Sequence, residues 1–108
     1  MNARTPLWRE VCRLDDLPRL GARRWLEGPE AIAVFRTADD RVFALADRCP
    51  HQGGPLSQGI VFGERVACPL HNRTIELADG QSVAPDQGCA NAYPVRVDDG
   101  LVLIDVAR

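Results

Sequence analysis

Lysine is absent from this chain of 108 residues: all thirteen cationic side chains are arginine, set against fifteen Asp and Glu. With a net charge of −2 and a pI near 5.6, the chain lacks the basic excess that nucleic-acid binding asks for. Long apolar runs are also missing, and nothing approaches the roughly 18 residues of a membrane span. The start, Met1-Asn2-Ala3-Arg4-Thr5-Pro6, has no apolar core of the kind a secretory signal needs. Arg23-Arg24 is internal and leads into no apolar stretch, so it does not read as an export signal. The expected location is the cytoplasm, without a membrane partner. No stretch keeps a helical period beyond about two turns, and carboxylates are scattered with no pair placed for acid–base work. No linker or low-complexity segment divides the chain, so one domain over 1–108 is expected, too small to enclose a large cofactor.

What is present reads as strand. Trp8 to Cys12 alternates apolar and polar side chains, Leu14 to Pro18 is a turn, and Leu20 to Leu26 is a second strand. Ala31-Ile32-Ala33-Val34-Phe35 is a short apolar run bounded by turn residues, the mark of a strand buried on both faces. Arg41 to Ala46 returns beside it after Ala38-Asp39-Asp40. Ile60-Val61-Phe62 and Arg65-Val66-Ala67 flank Gly63-Glu64 as a small hairpin, and Thr74 to Leu77 alternates again. Gln81 to Asn91 has no period and reads as loop. Tyr93 to Val97 and Leu101 to Val106 form a hairpin across Asp98-Asp99-Gly100. The pattern predicts an all-β sandwich or partly open barrel.

Histidine is nearly absent, and its placement is informative. The two histidines and two of the four cysteines lie in Cys49-Pro50-His51 and, after sixteen residues, Cys68-Pro69-Leu70-His71. Each segment offers one thiolate and one imidazole. Reduced cytoplasmic cysteines near histidines point to a metal rather than a disulfide. Cys49, His51, Cys68 and His71 are the predicted metal ligands, within a cluster-binding part at about 47–75 made mainly by two loops. Zinc accepts a Cys2His2 set, but its usual motifs keep like ligands together, whereas each segment here mixes them. In a [2Fe–2S] centre of the Rieske kind two cysteines hold one iron and two histidines the other. Neutral His in place of anionic Cys makes an added electron easier to accept. The potential then lies at roughly −150 to +300 mV, against about −400 mV for all-Cys plant-type ferredoxins. Pro50 and Pro69 stiffen the loops, and Gly53 and Gly54 allow backbone N–H groups to approach the sulfides.

These residues resemble the Rieske pattern C-x-H, a spacer of roughly fifteen to seventeen residues, and C-x-x-H. The likeness extends through Ile32 to Arg36, the run Cys49 to Val61, Cys68 to Asn72, Gly88-Cys89 and the tail Tyr93 to Gly100. Over most of the chain from Trp8 onward it is similar to the small subunit of assimilatory NAD(P)H nitrite reductase. The resemblance implies one Rieske [2Fe–2S] cluster per chain on an ISP-like fold. It also implies an electron-transfer role beside a large subunit that carries flavin, siroheme and a [4Fe–4S] cluster, with no catalysis by this chain alone. High-potential Rieske proteins carry an extra disulfide-bonded Cys in each loop and hydroxyl donors after the second His. The matching positions here are Gly54 and Leu70, and Arg73 and Ile75, which implies a potential toward the low end of the range.

Cys12 and Cys89 are expected to be buried structural thiols. Trp8, Trp25 and Tyr93 are expected in the core, and Arg48 and Arg73 at the solvated surface. His51 and His71 are expected at an exposed tip, where a free ring nitrogen would make the potential pH-dependent. The alternative to the nitrite reductase subunit is a Rieske ferredoxin feeding an aromatic-ring dioxygenase through an oxygenase or reductase partner. A zinc-stapled interaction domain is the non-redox alternative.

Overall fold

In the computed structural model of the chain, residues 5–50, 54–69, 73–84 and 88–107 are described. Their architecture is three small antiparallel sheets. The central one runs β2 (Gly21–Trp25), β3 (Ile32–Arg36), β4 (Val42–Ala46) and β8 (Ala92–Tyr93) in spatial order. On one side lies β1 (Trp8–Arg13), β10 (Leu101–Asp105) and β9 (Val95–Asp98). On the other lies β5 (Ile60–Phe62), β6 (Arg65–Ala67) and β7 (Thr74–Glu76). Among the described residues helix is confined to two 3-10 turns, Leu14–Asp16 and Leu56–Gln58. No helix among the described residues is long and apolar enough to cross a membrane.

The alternation of side chains along β3 and β4 explains the layering. Ala33, Phe35 and Leu45 join one buried cluster with Val61, Val66 and Ile75 of the small sheet. Ile32, Val34 and Ala44 join a second with Val102 and Ile104 of the outer sheet. Successive residues of a strand face opposite sides, so the central sheet has two cores, and β3 is buried along its whole length. Each fully buried Phe, Leu or Ile contributes about 1.5–3 kcal/mol. The continuous apolar run expected for such a strand is therefore observed.

Most sequence-predicted elements are present within a residue or two, and the β9–β10 turn has Asp99 and Gly100 both at positive φ (52° and 82°), as a type I′ hairpin requires. Two stretches differ. The single strand expected over Tyr93 to Val97 is two: Tyr93 pairs with Ala44 in the central sheet, while Val95 pairs with Ile104 in the outer one. Pro94 sits at the switch; it has no N–H for a ladder and accepts one bond, from the Asp105 N–H at 3.0 Å. The 81–91 stretch, expected as plain loop, makes two bridges, Ile75 with Ser82 and Gln81 with Cys89. These pairings depend on a distant strand, which local periodicity does not record.

Arg36 ends β3 buried, contrary to the usual rule for arginine. It donates from Nη1 to the Leu14 and Leu17 carbonyls at 2.9 and 2.8 Å and from Nε and Nη2 to Asp40 Oδ1 at 3.0 and 2.8 Å. Arg36→Met strands these acceptors, and a loss of roughly 1–3 kcal/mol is expected in chemical denaturation. Hydrogen bonds from Arg19 and Arg36 hold the Asp40 carboxyl below its ordinary value of 3.8. Its stabilising contribution is therefore complete above that value and lost as pH falls from there through the folded-state pKa. Asp40→Asn is expected to flatten the acid limb of a stability–pH profile measured by thermal unfolding. An unchanged limb would contradict this.

Candidate metal centre

Two loops of the same length leave the small sheet and its junction with the central one. The first begins at Cys49, three residues after β4, and the second at Cys68, directly after β6. Each is closed at its base by the same bond. The Cys49 N–H donates to the Gly54 carbonyl at 2.7 Å, and the Cys68 N–H donates to the Arg73 carbonyl at 2.6 Å. In both, the amide of the cysteine meets the carbonyl five residues on, so the two mixed Cys/His segments have a common closure. The hairpin β6–β7 fixes the second, with Ala67 paired to Thr74.

The two thiols belong to one buried core. Cys49 and Cys68 are 2% and 1% exposed and lie in the same buried cluster, with Leu56, Val66 and Ile75. Most of the separation in sequence is spanned by the 3-10 turn and the β5–β6 hairpin, which carry the chain away and back. Pro50 and Pro69 follow the thiols as expected. Gly54 is buried at the base of its loop. His51, His71, Gly53 and Leu70, also singled out above, lie outside the described residues. Among the described residues no further Cys, His, Asp or Glu gathers with the thiols into a metal-binding group.

Segment 88–90, whose Gly88-Cys89 is part of the family likeness, lies against the first loop. Gly88, at φ 109°, has its backbone so near that a Cβ there would be 3.1 Å from Pro50 Cβ. Its neighbour Cys89 is exposed, which corrects the expectation of a buried thiol. Cys89 bridges to the equally exposed Gln81, whereas Ala90, one step on, takes the inward position. Cys12 is half-buried, packs on the outer core and has its thiol pushed up, first by burial. Trp25 is core and Tyr93 partly so. Trp8 lies at the edge with the Arg96 guanidinium 5.1 Å from its ring centroid. Arg48 is exposed, while Arg73 is half-buried and its carbonyl closes the second loop.

A second group that sequence reasoning missed flanks the first loop. The Asp47 side chain is fully buried and receives the Arg24 Nε–H at 2.6 Å. It also receives the Ser57 N–H at 2.7 Å and the Ser57 hydroxyl at 2.8 Å. The available signal was a short polar side chain on each side of a Pro/Gly loop, which tends to bond neighbouring backbone. Elsewhere, a cavity of about 240 Å³ is lined by Val42, Phe43, Leu77 and Tyr93 among others, with no carboxylate, imidazole or thiol in its lining.

The donor chemistry fits an iron–sulfur centre. Two thiols are buried in the same core cluster, each at the head of a loop that has an imidazole two or three residues on in sequence. Comparison with known proteins agrees. The family model of the Rieske-like [2Fe-2S] domain matches residues 7–105. The anthranilate 1,2-dioxygenase ferredoxin subunit of Burkholderia cepacia is 34% identical over 92% of this chain and 92% of its own. The NADH nitrite reductase small subunit of Escherichia coli K12 is 34% identical over 88% of this chain and 94% of its own. In Klebsiella oxytoca the nitrite reductase large subunit contains a stretch 33% identical to this chain, covering 90% of this chain and 11% of that protein. Among solved structures, a nitrite reductase small subunit from Mycobacterium tuberculosis superposes with a TM-score of 0.88. It is 24% identical, with coverage of 96% of this chain and 98% of that one, a likeness of fold. With the paired loops, the buried thiols and a match over nearly its whole length, this chain belongs to the Rieske-like [2Fe–2S] domain family, and its cofactor is a Rieske-type [2Fe–2S] cluster.

Proposed function

We propose that this chain is the electron-transfer small subunit of an NAD(P)H-dependent assimilatory nitrite reductase. Cys49 and Cys68 would hold one iron, and His51 and His71 the other. The observation that carries the reading is the full-length kinship with the Escherichia coli small subunit, joined to the two matched loops. When bound, the cluster supplies a site that accepts and returns one electron. The chain's residues do the rest: the loop-closing bonds of Cys49 and Cys68 fix where the sulfurs stand, and the surrounding apolar side chains keep water from them. The Klebsiella oxytoca large subunit carries a homologous stretch in its own chain, which supports a large nitrite reductase subunit with flavin, siroheme and a [4Fe–4S] cluster as the partner. Ile60 and Phe62, 70% and 43% exposed on β5, offer apolar contact area one strand from Cys68. The single domain, the cytoplasmic location and the absence of catalysis by this chain alone belong to the same proposal.

The dioxygenase-ferredoxin reading has a relative of equal identity behind it, and the partner decides between the two. The experiment is reconstitution. With a siroheme-containing large subunit, the loaded protein is expected to form a stable complex and to be required for full NAD(P)H-driven nitrite reduction. Binding to an oxygenase instead, with no effect on nitrite reduction, would replace the proposal with the ferredoxin reading.

The environment of the second loop also bears on the potential. Ile75, at a position where high-potential relatives carry a hydroxyl, is fully buried in the cluster that holds both thiols. An apolar side chain gives no hydrogen bond to offset the added charge. A midpoint in the lower part of the roughly −150 to +300 mV Rieske range is expected in a redox titration. A strongly positive value would contradict it.

A further inference from the structure

We propose that the Arg24–Asp47 ion pair is a positioning and potential-setting device for the first ligand loop. Asp47 stands two residues before Cys49 and accepts from Ser57, three residues after Gly54. Its carboxylate therefore ties together the two strands of chain that enter and leave the loop, outside the closing bond from Cys49 to Gly54. The Asp47 N–H donates in turn to the Ala31 carbonyl at 2.8 Å, beside β3. The first loop is thus anchored to the central sheet from backbone and side chain alike. The matching position two residues before Cys68 is Val66, which carries no carboxylate.

The anchor also brings charge. The Asp47 side chain is 0% exposed, and that of Arg24, reaching from edge strand β2, is 48% exposed. A buried anion is weakly screened and opposes addition of an electron nearby, while a half-exposed cation favours it more weakly. Together they offset one another only in part, because the buried anion outweighs the half-exposed cation. Separately they must act with opposite sign, and the buried member must act more strongly. A purely structural clamp has no such signature.

The test is a charge cycle on the loaded protein, read by midpoint potential at low salt and neutral pH, with iron per chain and thermal stability recorded alongside. Asp47→Asn keeps acceptor and shape for Ser57 and is expected to shift the midpoint positive. Arg24→Gln leaves the carboxylate uncompensated and is expected to shift it negative by less. The double variant is expected to return toward the parent value. Ser57→Ala removes the hydroxyl bond to Asp47 but no charge and is expected to lower stability with little shift. Midpoints of the single variants equal to the parent's, or displaced in the same direction, overturn the proposal. Should Asp47→Asn fail to load, the surface pair Arg24→Gln and Arg24→Lys decides: a negative shift for Gln and none for Lys supports it, and identical midpoints overturn it. The proposal rests on Cys49 as a cluster ligand. Iron-free parent protein would remove that assignment, whereas a loaded protein indifferent to charge at 24 and 47 would remove this one alone.

Discussion

Cys49→Ser and Cys68→Ser proteins are expected to purify colourless, with iron near zero and no absorbance that bleaches on dithionite. The parent protein is expected to be red-brown. A serine hydroxyl ionises far less readily than a thiol and is a harder donor, so a soft iron–sulfur site loses its anionic ligand. Both cysteines are needed because they are proposed for the same iron. Cys12→Ser and Cys89→Ser supply the control. Cys12 packs on the other core and Cys89 is exposed, so these two variants are expected to keep full iron content. Retention of the chromophore in Cys49→Ser or Cys68→Ser, measured as iron and sulfide per chain, would end the ligand assignment.

Gly59→Ala is expected to have the next largest effect, with loss of both stability and cluster. Gly59 lies between the 3-10 turn and β5, and its backbone passes against β6. A Cβ there would sit 2.2 Å from the Ala67 carbonyl oxygen and 2.8 Å from Val66 Cγ2. Neither contact is tolerable, and the first is with backbone, so the chain itself must move. Ala67 is the residue before Cys68, and Gly59 follows the segment that Asp47 clamps. The displacement therefore pushes apart the two halves that must converge on one centre. Overpacking against rigid neighbours costs about 1–3 kcal/mol. The loss is expected in denaturant unfolding, together with lowered iron occupancy in the loaded preparation. Gly63→Ala is the contrast, because a Cβ there meets nothing within 4 Å; its cost comes only from the positive φ of 56° and leaves the loops in place. Equal iron content in Gly59→Ala and parent would show that the β5–β6 contact does not hold the site together.

Both expectations rest on features that differ in how far they can be read from the chain. The ligand candidates are legible because Cys-Pro-His and Cys-Pro-Leu-His are short and local, and a metal dictates residue type at short spacing. The hairpins are legible for a similar reason: Asp99-Gly100 must adopt positive φ, and few residue pairs do so at low cost. The β3 run announces burial on both faces through composition alone. Pro94 marks a break but does not say that the strand before it and the strand after it serve different sheets. Cys89 looks like any small apolar residue in sequence, and its exposure follows only from the register of its bridge to Gln81.

The amino-acid order by itself thus determined the β class, the strand positions and the four candidate ligands, because periodicity, turn chemistry and donor type are properties of neighbours along the chain. Tertiary structure alone decided that Cys49 and Cys68 are buried in the same core and that their loops close alike. It also decided that Arg24, Asp47 and Ser57 form a clamp and that Gly59 must lack a side chain. Each of these depends on contact between segments distant in sequence, set by how three sheets pack through two cores, and no local pattern encodes such a contact.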